Sequence, residues 1–207
     1  MIGAGRMRSV LIWAALATVL TVPVVVAAMS PLLAWRDPIY IAAGLAGVVA
    51  LSLLLIQPLL AGGYLPGLRL RLGRRLHAWV GAGLVAMVVV HVAALWLTSP
   101  PDVVDALLFQ SPTPFSVWGV IAMWAVFAAA LLAALRGRLR LRLMLWRLCH
   151  ISLALVIVVG SVVHAVLIDG TMGVLSKAVI SALVMATLAK VIVDLRLLAG
   201  IRRMVRL

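Results

Sequence analysis

The chain has 207 residues, of which 66% are hydrophobic and only 11% charged; that composition excludes an ordinary soluble domain and makes a bilayer the expected solvent. Its formal net charge of +13 would suit a nucleic-acid binder, but the basic residues fall in short bursts between apolar runs and form no single patch, so nucleic acid is not expected as a partner. The lone cysteine, Cys149, excludes an internal disulfide and any CxxC pair. With no glutamate and five scattered aspartates, paired-carboxylate hydrolysis is excluded too, and no residue is assigned a catalytic role.

In chain order, six segments are long and apolar enough to cross about 30 Å of hydrocarbon: 9–29, 38–61, 76–98, 115–135, 148–168 and 174–195. Breakers separate them: Ser30-Pro31 and Asp37-Pro38, Gly62-Gly63 and Pro66-Gly67, Pro100-Pro101, Pro112 to Pro114, and Asp169-Gly170. Because lipid cannot satisfy backbone hydrogen bonds, each span should be a helix, which predicts an all-α, integral-membrane six-helix bundle forming one domain over 1–207. The first span, with Arg6 and Arg8 before it and Ala27 and Ala28 at its end, resembles a secretory signal peptide, but its length favours a retained helix. The loops 99–114 and 136–147 are too short to fold alone. Alternating Arg and Leu over 136–143 should lie on the inner membrane surface, leucines toward lipid and arginines against phosphate.

Arginine placement predicts the orientation. With the N-terminus inside, Arg6, Arg8, Arg69, Arg71, Arg74, Arg75, Arg136, Arg138, Arg140, Arg142, Arg147, Lys190, Arg196, Arg202, Arg203 and Arg206 all face inward. Only Arg36 and Lys177 fall outside, so the positive-inside rule selects N-in/C-in in a bacterial-type inner (cytoplasmic) membrane, and lipid is the first partner. Trp35, Trp96 and Trp118 then fall near the outer interface, where tryptophan anchors are expected.

The chain's only four histidines form two pairs of identical spacing, His77/His91 and His150/His164, on the third and fifth spans. Fourteen helical residues advance about 21 Å in nearly four turns, so both members of a pair share roughly one helix face at two depths. The two spans run the same way, which sets His77 level with His150 and His91 level with His164. An imidazole from each helix meeting one iron is bis-histidine haem ligation, and without CxxCH the haem would be b-type and noncovalent. Lone intramembrane histidines are often structural, but two matched pairs weigh against that here. Zinc fails, since ions cannot be shared along about 21 Å of helix and each level supplies two ligands, not the usual three or four. A proton relay has no intramembrane carboxylate in line with the histidines to continue it.

Four residues from their respective histidines, Gly81 and Gly160 are candidates for giving a porphyrin room against the helix, although glycine also serves close helix packing. Arg74, Arg75 and Arg147 lie within three residues of His77 or His150 and are candidates for pairing with haem propionates as well as anchoring topology. Gly81-Ala82-Gly83-Leu84-Val85-Ala86 satisfies the dinucleotide pattern GxGxxA, but it is discounted because it sits mid-span with no preceding strand. Cys149 is read as a small residue at a helix end.

The runs Leu76-His77-Ala78-Trp79-Val80-Gly81 with His91, and Trp146-Arg147-Leu148-Cys149-His150 with His164, resemble the ferric reductase-like transmembrane domain. That domain is the membrane core of ferric reductases, NADPH oxidases and the haem subunit of the bacterial periplasmic methionine sulfoxide reductase system. The resemblance implies two stacked b haems, with His77 and His150 on the inner iron and His91 and His164 on the outer. It also implies transmembrane electron transport from a separate donor, a flavoprotein or quinol, to an outer-side acceptor. The larger family members continue into a flavin and NAD(P)H domain, whereas this sequence runs to Leu207, just past the sixth span. The expected function is therefore an oxidoreductase component without its own nicotinamide site, with flavin at the inner loops left open. The short methionine sulfoxide reductase subunit is the alternative, with a chiefly structural haem, but its Trp-x-Arg-Leu-His run is here Trp146-Arg147-Leu148-Cys149-His150.

Overall fold

The computed structural model describes residues 3–194. Arg196, Arg202, Arg203 and Arg206, and the last residue of the expected sixth span, lie outside the described residues. Eight α-helices appear in this range: α1 (Ala4–Ala28), α2 (Pro38–Ala61), α3 (Leu70–Thr98), α4 (Pro100–Leu107), α5 (Ser116–Ala134), α6 (Arg136–Leu139), α7 (Leu143–Leu167) and α8 (Val174–Asp194). No strand occurs among the described residues. Six of the helices, α1, α2, α3, α5, α7 and α8, are long and apolar enough to span a membrane, and they match the six expected segments.

Three helix starts move, the first of them α1, which begins at Ala4 and takes in Arg6 and Arg8. α3 begins at Leu70 and α7 at Leu143, each several residues before the expected apolar start. Arginine is a good helix former, so Arg71, Arg74, Arg75 and Arg147 extend the helices beyond their apolar stretches. Within the expected 99–114 loop, Pro100 at the first turn and the Ser99 hydroxyl bonded to Asp102 at 2.5 Å begin a two-turn helix, α4, which buries Val103. The Arg136–Leu143 run is no strand: it makes the single turn of α6 and then breaks at Arg140, whose φ of 44° is left-handed. α2 starts where Asp37 accepts from the Ile39 amide at 2.7 Å with Pro38 at the first position.

Packing is organised around α2. Ala43, Ala46, Val48, Ala50, Leu51, Leu54 and Leu55 are buried on it, and it contacts α1, α3 and α8. α5 presents Ala122, Ala125, Val126 and Ala129 to the core and lies along α7. Small residues let these backbones approach, as membrane helices require when lipid is as apolar as the side chains. α8 closes the bundle with Ile180 and Val184 fully buried. Its Lys177 is also buried, and the ammonium donates to the Ile168 carbonyl just past α7 at 2.5 Å, where a cation meets the negative end of a helix. α1 joins the bundle through buried Ala27, the Ser52 hydroxyl on the Leu20 carbonyl and the Trp13 indole on the Pro66 carbonyl.

One end of the bundle is fastened by a clasp. The Tyr64 hydroxyl, in the loop between α2 and α3, donates to Asp194 at the end of α8 at 2.6 Å, and Lys190 pairs with Asp194 at 2.8 Å while sitting over the Tyr64 ring. Desolvation, then the bond to and charge of Asp194, push the Tyr64 phenol up from 10.0 to about 12. A phenol raised on folding contributes stability that is present below its unfolded value and lost as pH rises through the folded one. A spectrophotometric titration should therefore show one phenol ionising near pH 12, with the bundle loosening across that rise, and Tyr64→Phe should abolish both effects.

Candidate haem-ligating site

α3 packs along α2, and α7 along α5, but α3 and α7 make almost no close backbone contact with each other. Along the 29 residues of α3 only Gly73, Leu84 and Ala94 are buried. α7 is similar, burying only Ile157, Val158 and Gly160. The histidines bridge this separation. His77 and His150 face each other with ring centroids 6.2 Å apart and planes at 72°; His91 and His164 do so at 6.4 Å and 84°. These are the cross-helix pairs expected from the spacing, at two levels.

Two imidazoles held on opposite sides of one metal ion, each at an ordinary metal–nitrogen distance of about 2 Å, have centroids a little over 6 Å apart. Both levels have that separation. A hydrogen bond between two rings would instead bring them closer.

The second ring nitrogen explains how the rings are aimed. Nδ1 of His91 bonds the Ala43 carbonyl at 2.7 Å, Nδ1 of His164 the Phe115 carbonyl at 2.8 Å, and Nδ1 of His77 the Gln57 carbonyl at 3.2 Å. A carbonyl can only accept, so Nδ1 carries the hydrogen in all three and Nε2 keeps its lone pair for a metal. The acceptors Ala43 and Gln57 are themselves 14 residues apart on α2, the interval that separates His77 from His91.

Each short anchor depends on a glycine that sequence reasoning missed. The carbonyl of residue i in a helix lies beneath the side chain of residue i+4, and a third group reaches it easily only if that side chain is absent. Four residues beyond Ala43 is Gly47, where a Cβ would lie 3.1 Å from His91 Nδ1. Four beyond Phe115 is Gly119, where a Cβ would lie 2.6 Å from His164 Nδ1. Four beyond Gln57 stands Ala61, and the His77 anchor is correspondingly longer.

The two glycines named from sequence do something else. A Cβ on Gly81 would meet the Gln57 side-chain amide at 3.3 Å, and one on Gly160 the Trp118 carbonyl at 3.0 Å and Ala122 at 3.1 Å. Both therefore permit helix–helix approach, α3 to α2 and α7 to α5. Arg74, Arg75 and Arg147 are exposed in the first turns of α3 and α7, close in sequence to the His77/His150 level. The Gly81 to Ala86 pattern lies inside α3 with no strand before it. Cys149 is a half-buried free thiol. Among the described residues no three His, Cys, Asp or Glu side chains converge as a metal-holding group.

A helical membrane protein with paired histidines at two depths on two like-directed spans defines the class. Residues 43–161 match the family described as "Ferric reductase like transmembrane component", and the chain belongs to that family. The match contains both anchoring glycines and three of the four histidines, with His164 three residues beyond it. No curated protein and no solved structure matches the chain. Membership points to a membrane electron-transfer component, and such domains generally bind haem b.

Proposed function

We propose that this chain is a dihaem b-type membrane cytochrome that moves electrons from a cytoplasmic-side donor to an outer-side acceptor. The observation that carries the reading is the pair of histidine levels at 6.2 and 6.4 Å, with Nδ1 of three rings tied to helix carbonyls. When bound there, haem supplies a reversible one-electron iron couple.

The chain's own residues do the rest. His77 and His150 would hold one iron, and His91 and His164 the other, so that each level would commit both of its imidazoles to electron relay rather than to substrate binding. The Ala43, Gln57 and Phe115 carbonyls fix tautomer and ring plane, which raises the ligand strength of the opposite nitrogen. Arg74, Arg75 and Arg147 are placed to neutralise propionate carboxylates at the His77/His150 level. By the positive-inside rule that level is the inner one, because the stretch joining α2 to α3, the α5–α7 connection and the first turns of α1 carry the arginine clusters. The Tyr64–Asp194 and Trp13–Pro66 contacts bring the loop after α2 together with the end of α8 and the start of α1, in keeping with N-in/C-in. A bacterial inner membrane, a flavoprotein or quinol as donor, and an outer-side acceptor complete the assignment.

The second reading is a haem-bearing anchor subunit of a periplasmic methionine sulfoxide reductase-type system, with chiefly structural haem. Vesicles carrying the purified, haem-loaded chain separate the two. Dithionite outside and ferricyanide trapped inside should give ferricyanide reduction well above that of protein-free vesicles. Full haem loading with only the protein-free rate would favour the structural role.

A further inference from the structure

The anchoring scheme has a gap. On α2 the two acceptor carbonyls are 14 residues apart, matching their histidines; the same interval on α5, counted from Phe115, reaches Ala129 as the acceptor for His150. No bond forms there: Nδ1 of His150 is buried and has no hydrogen-bond partner. The residue four beyond Ala129 is Ala133, where Gly47 and Gly119 open the equivalent carbonyls.

Something else touches the ring. Trp146, one turn before His150 on α7, stacks on the imidazole with centroids 5.2 Å apart and planes only 7° apart. Its indole nitrogen donates to the Leu132 carbonyl at 3.4 Å, and the Arg136 guanidinium lies over the same Trp146 ring, 4.5 Å from its centroid, in cation–π contact. The exposed arginine, the half-buried indole and the imidazole thus form a chain of contacts linking α6 to the His77/His150 level.

We propose that Trp146, held by Arg136 and by the Leu132 carbonyl, is a positioning residue for His150 and replaces the missing carbonyl anchor. A stacked indole fixes the plane of the imidazole without drawing on either ring nitrogen, so this ligand is oriented but not strengthened through Nδ1. His150 is consequently the least firmly held of the four ligands, and the His77/His150 level is the one that opens first to an added ligand. The ligand role rests on the haem reading; the orienting stack does not.

The test has a haem-free and a haem-loaded arm. In haem-free protein in nanodiscs, with histidine labelled in its ring nitrogens, the ring protons of His150 should be shifted upfield by the indole. Trp146→Leu should remove that shift while leaving the Nδ1–H signatures of His77, His91 and His164 unchanged. In haem-loaded protein, Trp146→Leu should alter the low-spin electron paramagnetic resonance signal of one haem and raise carbon monoxide binding to the reduced form about tenfold or more, the scale of losing a ligand-orienting partner. Trp146→Phe should restore most of the wild-type behaviour, and Arg136→Gln should reproduce a smaller part of the defect. If Trp146→Leu does not fold, Arg136→Gln carries the decision alone.

Unchanged His150 shifts and unchanged carbon monoxide binding in the folded variants would overturn the proposal. Wild-type protein that takes up no haem would instead count against the cytochrome reading, and the nitrogen-labelled arm would still decide the role of Trp146.

Discussion

Alanine at His91 or at His164 is expected to remove one haem and leave the His77/His150 level in place. In the proposed dihaem arrangement each iron would depend on one imidazole from α3 and one from α7, and the levels are about 21 Å apart along the helix, so losing one ligand could not be repaired from the other level. Haem content should fall by about half in either variant, and by no more in the double variant, because both residues serve one iron. Pyridine haemochrome assay against protein concentration reads this directly. Loss of both haems in a single variant that still purifies as a monodisperse protein would count against two independent levels.

The second large effect is expected at a residue that ligates nothing. Gly119→Ala puts a Cβ where only 2.6 Å separates it from His164 Nδ1, so the ring must move or the bond to the Phe115 carbonyl must break. Losing such an orienting partner costs roughly 10–100-fold in metal affinity, and the overpacking adds about 1–3 kcal/mol of strain. Haem should therefore wash out of the His91/His164 level during purification, as if His164 itself had been replaced. Gly47→Ala should act in the same direction but more weakly, since its Cβ would stand 3.1 Å from His91 Nδ1. Gly81→Ala, against a flexible glutamine side chain, should leave haem content unchanged; Gly160→Ala, against the Trp118 carbonyl, should disturb α5–α7 packing. Haem titrations of the four variants in one detergent would rank them.

These contrasts show what sequence could and could not disclose. The six spans were legible because hydrophobic length is a property of side chains, and the pairing of His77 with His150 and of His91 with His164 followed from equal spacing on two spans of like direction. Helix starts were misplaced because arginine continues a helix that hydropathy ends, and α4 was hidden in a proline-rich loop. The glycines were the least legible part of the site. Gly81 and Gly160 stood out because they are near histidines in sequence, but nearness on a helix does not say which way a missing side chain faces. Gly47 and Gly119 lie on other helices, and what they uncover is a backbone carbonyl, a group every residue carries. A usable signal did exist: glycine on the neighbouring span at the depth of a histidine, 47 against 91 and 119 against 164. Trp146 was visible in its motif, but its stacking on His150 required coordinates.

The central claim is that four histidines make two haem sites. The most direct measurement is the haem-to-chain ratio of the full-length protein purified after expression with ample haem, read together with its oxidised and reduced spectra. The account predicts about two b-type haems per chain, both low-spin and six-coordinate. A folded protein that remains colourless would contradict it.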